Sequence, residues 1–259
     1  MVRQLLGGAV VLAAGVGSRL QPAHQGAKWL LPVNGEPIAE RQLRSLRLAL
    51  SPDAPILVVA GHAAADVVAF TADHPGVDVL INPQYDVRNN WYSLSVALQH
   101  WRSLRRAGSL LVMNSDLYCP DHWVKEFSAA ACESAADCVL AVDMQRQLTG
   151  EAMKVGRSGG RVALLAKGGI EQPIGEFLGL SALSGTGLGA VQRALDGMDT
   201  RGEDGWYENA FERALLSGAT AGVWSVPHPR WVEIDDAADV VTARHLDLTG
   251  TSGSAVNAS

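Results

Sequence analysis

The chain has 259 residues, of which 47% are hydrophobic and 19% are charged, a composition typical of a globular protein. A disordered chain would be less apolar, and a coiled coil would carry more charge. The formal net charge is −6 and the longest basic run is Arg105-Arg106, which argues against nucleic acid as a partner.

The sequence predicts neither a membrane span nor a zinc site. No run of 18 apolar residues occurs. The first 15 residues combine an early Arg, an apolar run and small residues, as a signal peptide does, but two glycines interrupt the run, which favours a buried first strand. Cys119, Cys132 and Cys138 lack the CxxC spacing of zinc sites and disulfide frameworks. We therefore expect a cytoplasmic protein.

Short apolar runs alternate with amphipathic segments in the first half of the chain, which predicts βαβ units and a parallel sheet. Strands are predicted at 9–13, 56–60, 77–81 and 110–114, and helices at 37–50, 63–72 and 91–104. Asn89 or Asn90 is suited to cap the third of these helices.

The second half is less regular. Short strands are predicted at 139–142, 153–155, 161–166, 176–181, 222–226 and 231–234, and helices at 187–195, 206–216 and 237–245. We expect a single α/β domain over residues 1–248, with a mixed, mostly parallel central sheet flanked by helices in a Rossmann-like arrangement. The small polar segment 249–259 is expected to be a mobile tail without function.

A loop rich in small residues follows the first predicted strand. Such a loop lets backbone N–H groups approach an anion, and Arg19 adds a charged fork for phosphate oxygens. The loop lacks the Gly-Lys-Ser/Thr ending of a P-loop and the third glycine of a dinucleotide fingerprint, and a plain tight turn is the alternative. The candidate nucleotide-binding positions are Leu12, Ala13, Ala14, Gly15, Gly17 and Ser18.

The continuation of the loop sharpens this interpretation. Lys28 and the segment 30–37 extend it to the string LAAGVGSRL…K-W-LLPV-N-G-E-P. This string resembles the signature of the nucleotidyltransferases that join a nucleoside triphosphate to a phosphorylated sugar or alcohol. The resemblance implies a nucleotidyltransferase fold in which Arg19 and Lys28 bind phosphate and act in catalysis. Outside this string, Lys28 would be interpreted as a solvated loop lysine.

Two further segments are similar to one branch of that family. Residues 82–85 and 89–94 match the N…Y…NN-x-YS pattern of the phosphocholine cytidylyltransferases and their relatives, which act on phosphocholine, aminoethylphosphonate, other small phosphonates and inositol phosphate. The resemblance implies CTP as the donor, with Asn82, Asn90 and Ser93 placed to contact the base and ribose. The alternative is that these asparagines only cap a helix.

Three acidic residues are candidate metal ligands. Asp116 ends the fourth predicted strand, at the sheet edge where α/β enzymes hold a metal facing phosphates. Glu233 and Asp235 alternate with apolar residues, so on a strand they would share one face. Their segment is similar to the family's W-x-E-I-D-x-x-x-D-L ending, which implies that Asp116, Glu233 and Asp235 hold Mg²⁺. A turn role for Asp116 and an N-cap role for Asp235 remain open.

The acceptor site is expected between these segments. The stretches around Lys154, Lys167 and Glu176 are similar to the branch's MKV, strand-end Lys and GE-x-x-G segments, and Asp143 is a further candidate. Either lysine could hold the acceptor phosphate, and a solvated lysine is the alternative for each. If the acceptor carries an amine, paired acids or an aromatic cage are expected, and the aromatic candidates are taken from the tyrosines and tryptophans. These candidates are Tyr118, Trp123, Trp206, Tyr207 and Trp224.

The resemblance implies a Mg²⁺-dependent transfer of a cytidylyl group from CTP to a small anionic phosphonate or phosphoester that resembles phosphonoformate, aminoethylphosphonate or phosphocholine. The catalytic residues would be Arg19, Lys28, Asp116 and Asp235, and an acceptor that is already anionic needs no general base. We expect no nucleic-acid or membrane partner and leave a homodimer open. The alternatives are a sugar- or inositol-1-phosphate nucleotidyltransferase that uses another triphosphate, and a regulatory protein that binds nucleotide without chemistry.

Overall fold

The structure is a computed structural model that describes residues 6–20, 24–104 and 108–248. The expected mobile tail at 249–259 therefore lies outside the described residues, as does Arg105-Arg106. The elements in chain order are β1 (Gly8–Ala13), β2 (Pro32–Val33), β3 (Glu36–Pro37), α1 (Ile38–Ala49), β4 (Ile56–Ala60), α2 (Ala64–Thr71), β5 (Val77–Ile81), α3 (Asn90–Ser103), β6 (Leu110–Asn114), β7 (Leu117–Tyr118), α4 (Asp121–Glu133), β8 (Cys138–Asp143), β9 (Lys154–Ser158), β10 (Arg161–Ala166), β11 (Gly175–Leu183), α5 (Gly185–Thr200), α6 (Tyr207–Leu216), β12 (Ala221–Ser225), β13 (Val232–Glu233) and α7 (Ala237–His245).

A mixed sheet forms the centre of the molecule. Its main path runs β10-β9-β11-β6-β1-β4-β5, and β8 and β12 extend it from β11. The strands β6, β1, β4 and β5 are parallel, and β11 joins them antiparallel to β6. The parallel strands are almost wholly apolar because helices cover both faces of this part of the sheet. The single α/β domain with a central mixed sheet flanked by helices is confirmed.

Each face of the sheet has its own hydrophobic core. On one face α1 and α4 bury Leu43, Leu46 and Phe127 against the strands. On the other, α3, α5 and α6 bury a second set of side chains, including Trp101 and Phe211. Fully burying such a side chain stabilises the fold by about 1.5–3 kcal/mol. Two packed faces of this kind hold the carboxyl ends of β1 and β6 at a fixed separation.

The structure corrects the predicted elements in several places: the two-residue strands β2, β3 and β7 were not predicted, and α5 extends beyond the predicted 187–195. Helix α4 had not been predicted: Trp123, Val124 and Phe127 have helical spacing, but the Ser-Ala-Ala-Ala-Cys run that follows carries little apolar periodicity. The strand expected at 231–234 is limited to Val232–Glu233, although the N–H of the next residue still donates to the Asp116 carbonyl at 3.0 Å in the same register.

None of the helices within the described ranges is both long enough and apolar enough to cross a bilayer. The cysteines Cys119, Cys132 and Cys138 are all free, and burial raises the pKa of the Cys119 thiol to about 12.

Candidate functional site

The loop after β1 places Gly17 beside Lys28. Gly17 has a φ of +61°, a conformation that L residues rarely adopt, and a Cβ there would lie 3.3 Å from the Cβ of Lys28. Lys28 itself begins a short 3-10 helix, and the next residue, Trp29, is fully buried and donates its indole N–H to Gln42 at 2.9 Å. The anchored tryptophan thus fixes the direction of the lysine next to it.

Lys28 joins the two aspartates that the sequence had placed far apart. Its Nζ donates to Asp116 Oδ2 at 2.7 Å and to Asp235 Oδ1 at 3.0 Å, and Arg19 Nη2 donates to Asp235 Oδ2 at 2.8 Å. Because two carboxylates contact one nitrogen, they lie less than about 6 Å apart, close enough to share a cation. All four predicted catalytic residues therefore meet at one point.

Charge and burial act against each other in this cluster. Burial alone would lower the pKa of Lys28, but Asp116 and Asp235 more than offset that effect and raise it. Burial would likewise raise the pKa of Asp235, yet Lys28 and Arg19 hold it below its ordinary value. The lysine side chain is only 12% exposed, so it is not a solvated loop lysine.

A small antiparallel ladder brings the distal aspartate to the sheet. In β13 and β7, Val232 pairs with Tyr118 and Glu233 with Leu117. The segment that carries Asp235 therefore lies alongside the residues that follow β6. Asp235 does not cap α7, because Asp236 is the N-cap and accepts the backbone N–H groups of Ala238 and Asp239.

These groups open onto a cleft of about 420 Å³. Of the predicted acceptor residues, Lys167 and Glu176 line it. Lys154 instead donates to the backbone carbonyls of Ala152 and Lys167. Asp143 is fully buried, and one of its carboxylate oxygens accepts the Trp231 indole N–H at 2.8 Å while the other accepts two backbone N–H groups. The cleft lining therefore favours Lys167 over Lys154, and Asp143 positions Trp231.

Trp206, Trp231 and Arg146 also line the cleft. Trp206 is the one aromatic candidate, among the five expected, that lines the cleft, and Lys167 Nζ lies 5.0 Å above its ring. Trp231 and Arg146 were not predicted, and the Arg146 guanidinium stacks 5.0 Å from the Trp231 ring. The other aromatic candidates are buried: Tyr118, Trp123, Tyr207 and Trp224.

Three glutamates that line the cleft, Glu176, Glu208 and Glu233, have raised pKa values. Burial is the main cause for each, and for Glu233 the nearby Asp116 and Asp235 add to it. The pKa of Glu208 rises to about 7 and that of Glu233 lies well above its ordinary range. Glu208 was not predicted, since no sequence pattern signals that a glutamate on the first turn of α6 is 4% exposed.

Glu208→Gln is expected to stabilise the protein increasingly as the pH rises. Because the folded-state pKa of Glu208 is raised to about 7, its favourable contribution is complete below the unfolded pKa and is lost as pH rises through the folded one. The free energy of unfolding of the variant relative to wild type should increase by about 2–3 kcal/mol between pH 5 and pH 8. Urea unfolding at both pH values measures it.

The matched control for this prediction is Glu171→Gln, which changes an exposed glutamate for which the structure gives no partner. A difference between Glu208→Gln and wild type that is the same at pH 5 and pH 8 would contradict a buried glutamate of raised pKa.

The predicted base-binding residues differ in their surroundings. Asn90 lines the cleft, and its Oδ1 accepts the backbone N–H of Tyr207 at 2.9 Å, which links α3 to α6. Asn82 and Ser93 are buried and bond to each other, Asn82 Nδ2 donating to Ser93 Oγ at 3.0 Å. Asn89 is the N-cap of α3. Contact of Asn82 or Ser93 with nucleotide stays a prediction.

The residues at the cluster fit a magnesium ion. Asp116 and Asp235 supply hard oxygen donors around one position that a cationic group, the Lys28 ammonium, already contacts, and Asp116 Oδ1 is buried with no hydrogen-bond partner. Within the described residues no three His, Cys, Asp or Glu side chains converge as a preformed metal site. Magnesium is commonly held by one or two carboxylates with phosphates and water, so two suffice, and a ligand role for Glu233 stays a prediction.

Solved structures of similar fold cover almost the whole chain. The CTP:phosphocholine cytidylyltransferase LicC of Streptococcus pneumoniae matches at TM-score 0.73 and 21% identity, over 92% of this chain and 97% of that one. The inositol-1-phosphate CTP transferase of T. maritima matches at TM-score 0.74 and 18% identity, over 94% and 98%. A Bacillus anthracis protein provisionally assigned as a glucose-1-phosphate thymidylyltransferase matches at 0.67 and 18%, over 95% and 97%.

At these identities the likeness establishes the fold. A search of curated protein sequences finds no match. Residues 9–201, most of the chain, match the family described as the MobA-like NTP transferase domain, and the match includes the loop after β1, Lys28 and Asp116. The chain therefore belongs to the MobA-like NTP transferase family and is a nucleotidyltransferase.

Proposed function

We propose that this nucleotidyltransferase moves a cytidylyl group from CTP to a small phosphonate or phosphoester and releases pyrophosphate. The observation that carries the proposal is the contact of Lys28 with both Asp116 and Asp235, next to the glycine-rich loop and at the edge of a cleft large enough for small-molecule substrates. A protein that only binds nucleotide would not need a buried cation between two carboxylates.

Cytosine is the base that the sequence favours. The segment 82–94 resembles the phosphocholine cytidylyltransferase branch, and two of the solved structures of similar fold are named as enzymes that use CTP. Asn90, at the start of α3 and on the cleft wall, is the candidate that remains open to a ligand. We place the reaction in the cytoplasm, a reducing compartment that suits three free cysteines.

In the proposed mechanism, backbone N–H groups of the loop after β1 and the Arg19 guanidinium hold the triphosphate. Lys28, whose raised pKa keeps it protonated at neutral pH, stabilises the charge that develops at the α-phosphate. Asp116 and Asp235 would hold Mg²⁺, which supplies further positive charge to the phosphates. An anionic acceptor oxygen attacks in line, so the protein contributes positioning and electrostatics and no general base.

The side chains that line the cleft indicate which class of acceptor it would bind. Lys167 is the lysine that can meet the acceptor's phosphonate or phosphate, since it lines the cleft. Glu176, Glu208 and Glu233 add acidic groups to the same walls, and Trp206 adds an aromatic face. A bound cationic head group would favour the ionised form of these glutamates and can pack on the aromatic face, whereas a carboxylate would gain no such pairing. We therefore propose an acceptor with an amine or quaternary ammonium group over one that resembles phosphonoformate.

Pyrophosphate release from CTP is expected with 2-aminoethylphosphonate or phosphocholine, and kcat/KM should exceed that for phosphonoformate by about tenfold or more, because an ammonium group pairs with the ionised glutamates and a carboxylate gains no such pairing. The assay pairs each acceptor with CTP, UTP, ATP, GTP and dTTP. Propylphosphonate, which is the size of aminoethylphosphonate but neutral at its end, is the control for size.

The same assay separates the alternative functions when glucose 1-phosphate and inositol 1-phosphate are added to the acceptors. Turnover confined to glucose 1-phosphate or inositol 1-phosphate would replace the proposed acceptor class. Nucleotide binding without pyrophosphate release, for every pair tested, would contradict the enzyme and favour a regulatory protein. Equal turnover of phosphonoformate and aminoethylphosphonate would be consistent with the proposed cytidylyltransferase activity but would contradict the proposed preference for a cationic acceptor.

A further inference from the structure

A second cleft, of about 620 Å³, lies between α5 and α6 and shares no lining residue with the first. Its floor is made of small residues spaced along one side of α5, Ala190, Ala194 and Gly197. Three arginines line it, Arg193, Arg201 and Arg213. We refer to it as the arginine cleft. The proposed reaction uses none of these residues.

The positive charge of the arginine cleft is only partly neutralised. Arg201 and Arg213 both pair with a single carboxylate, that of Glu203. Arg193 has no ion pair within the described chain, and Arg213 Nη1 is buried without a hydrogen-bond partner. Asp137 also lines the cleft, and its carboxylate keeps its charge because its hydrogen-bond donors in Thr186 and Thr220 are neutral. Three guanidinium groups thus face two carboxylates, those of Glu203 and Asp137, in a chain whose net charge is −6.

Two glycines of α5 lie directly beneath the arginines. A Cβ at Gly197 would be 3.2 Å from Arg201 Nη1, and one at Gly189 would be 3.4 Å from Arg193 Nη1; the nearest neighbours of both positions are arginine atoms alone. Glycine inside a helix weakens it, so these positions need a reason. No packed backbone or core side chain supplies one. The glycines allow each guanidinium to lie flat against the helix one turn before its own Cα.

We propose that the arginine cleft binds a small phosphorylated molecule with two or more negative charges. Guanidinium groups match phosphate oxygens in geometry and charge, and they bind them more specifically than an ammonium does. The cleft volume lies in the range of small-molecule sites. The arginine cleft is separate from the cleft beside Lys28. A molecule bound in it is therefore not a substrate positioned for the reaction.

Isothermal titration with inorganic tripolyphosphate tests the proposal in the full-length protein. Wild type should show two classes of site, one of which Lys28→Ala weakens. The variant Arg193→Ala/Arg201→Ala should weaken the other about tenfold or more, since it removes two charge-assisted contacts. The control is Arg157→Ala/Arg161→Ala, which removes the same charge from two exposed positions on the β9–β10 hairpin and should leave both classes unchanged.

Glu203→Gln provides a second test, in which the affinity for tripolyphosphate should increase instead of decreasing. It removes the carboxylate that competes for Arg201 and Arg213, so tripolyphosphate should bind the arginine cleft several-fold more tightly. A merely structural ion pair would give no gain in affinity. Unchanged binding in both Arg193→Ala/Arg201→Ala and Glu203→Gln, or an equal loss in the hairpin control, would overturn the proposal. Failure of Lys28→Ala to alter the first class would instead count against the proposed function.

Discussion

Lys28→Ala is expected to lower kcat for nucleotidyl transfer by about two orders of magnitude or more, because a preorganised buried charge of this kind contributes roughly 2–4 kcal/mol to transition-state stabilisation. Its Nζ contacts both aspartates at 3.0 Å or less, and the substitution leaves these carboxylates facing each other. A fall in stability of about 1–3 kcal/mol is therefore expected in metal-free buffer, larger than a loop lysine would give. Steady-state kinetics and thermal melts in EDTA measure the two effects.

Lys125→Ala is the matched control for this prediction. Lys125 is an exposed lysine on α4, so its loss should leave both kcat and the melting temperature close to those of wild type. An activity of Lys28→Ala within about threefold of wild type would remove Lys28 from the proposed mechanism, since the barrier would then have changed by less than 1 kcal/mol.

Asp116→Asn and Asp235→Asn should each lower turnover strongly and raise the Mg²⁺ concentration needed for half-maximal rate. The two carboxylates share Lys28 and, in the proposed mechanism, one ion, so the second substitution has little left to remove. The double variant should therefore lose much less than the sum of the two single losses in free energy of activation. Magnesium titrations of kcat/KM for the four proteins complete the cycle.

An exposed carboxylate supplies the comparison. Asp53→Asn, in the loop before β4, should leave the magnesium dependence unchanged. Losses that add fully for Asp116 and Asp235 would show that the two residues act independently, and the shared-ion mechanism would be wrong. Glu233→Gln tests the separate prediction that a third acid takes part, and we expect only a partial loss from it.

Local patterns predicted the part of the site that lies at strand ends. The glycine-rich loop and Asp116 each follow a short apolar run, and the ends of neighbouring parallel strands meet at one sheet edge, whereas Lys28 was identified from its resemblance to the family string. Helix α4 and the short β13 were not predicted correctly, because the first carries weak periodicity and the second is limited to the residues that pair with β7. The spacing of apolar residues along the chain does not show which strand a segment such as β13 pairs with.

The side chains whose roles depend on tertiary contacts could not be assigned from sequence. Lys154 and Lys167 were equivalent as candidates. Lys154 donates to backbone carbonyls, whereas Lys167 lines the cleft, pairs with Glu151 and lies over the Trp206 ring. Asp143 had the expected position on its strand but uses its carboxylate on Trp231. Glu208 showed no signal, since burial of a helix-surface glutamate is decided by what packs over it.

The ladder between β7 and β13 sets the order in which the site can be completed during synthesis. β1, the glycine-rich loop, Lys28 and Asp116 all emerge from the ribosome within the first half of the chain, whereas Asp235 follows Val232 and Glu233 near its end. The segment is held by the two residue pairs of that ladder, by the Ile234 N–H that donates to the Asp116 carbonyl, and by the contacts of Lys28 and Arg19 with Asp235. A nascent chain that has folded its parallel strands thus has Lys28 beside one aspartate, and it gains the second only after the segment that carries Asp235 has been translated.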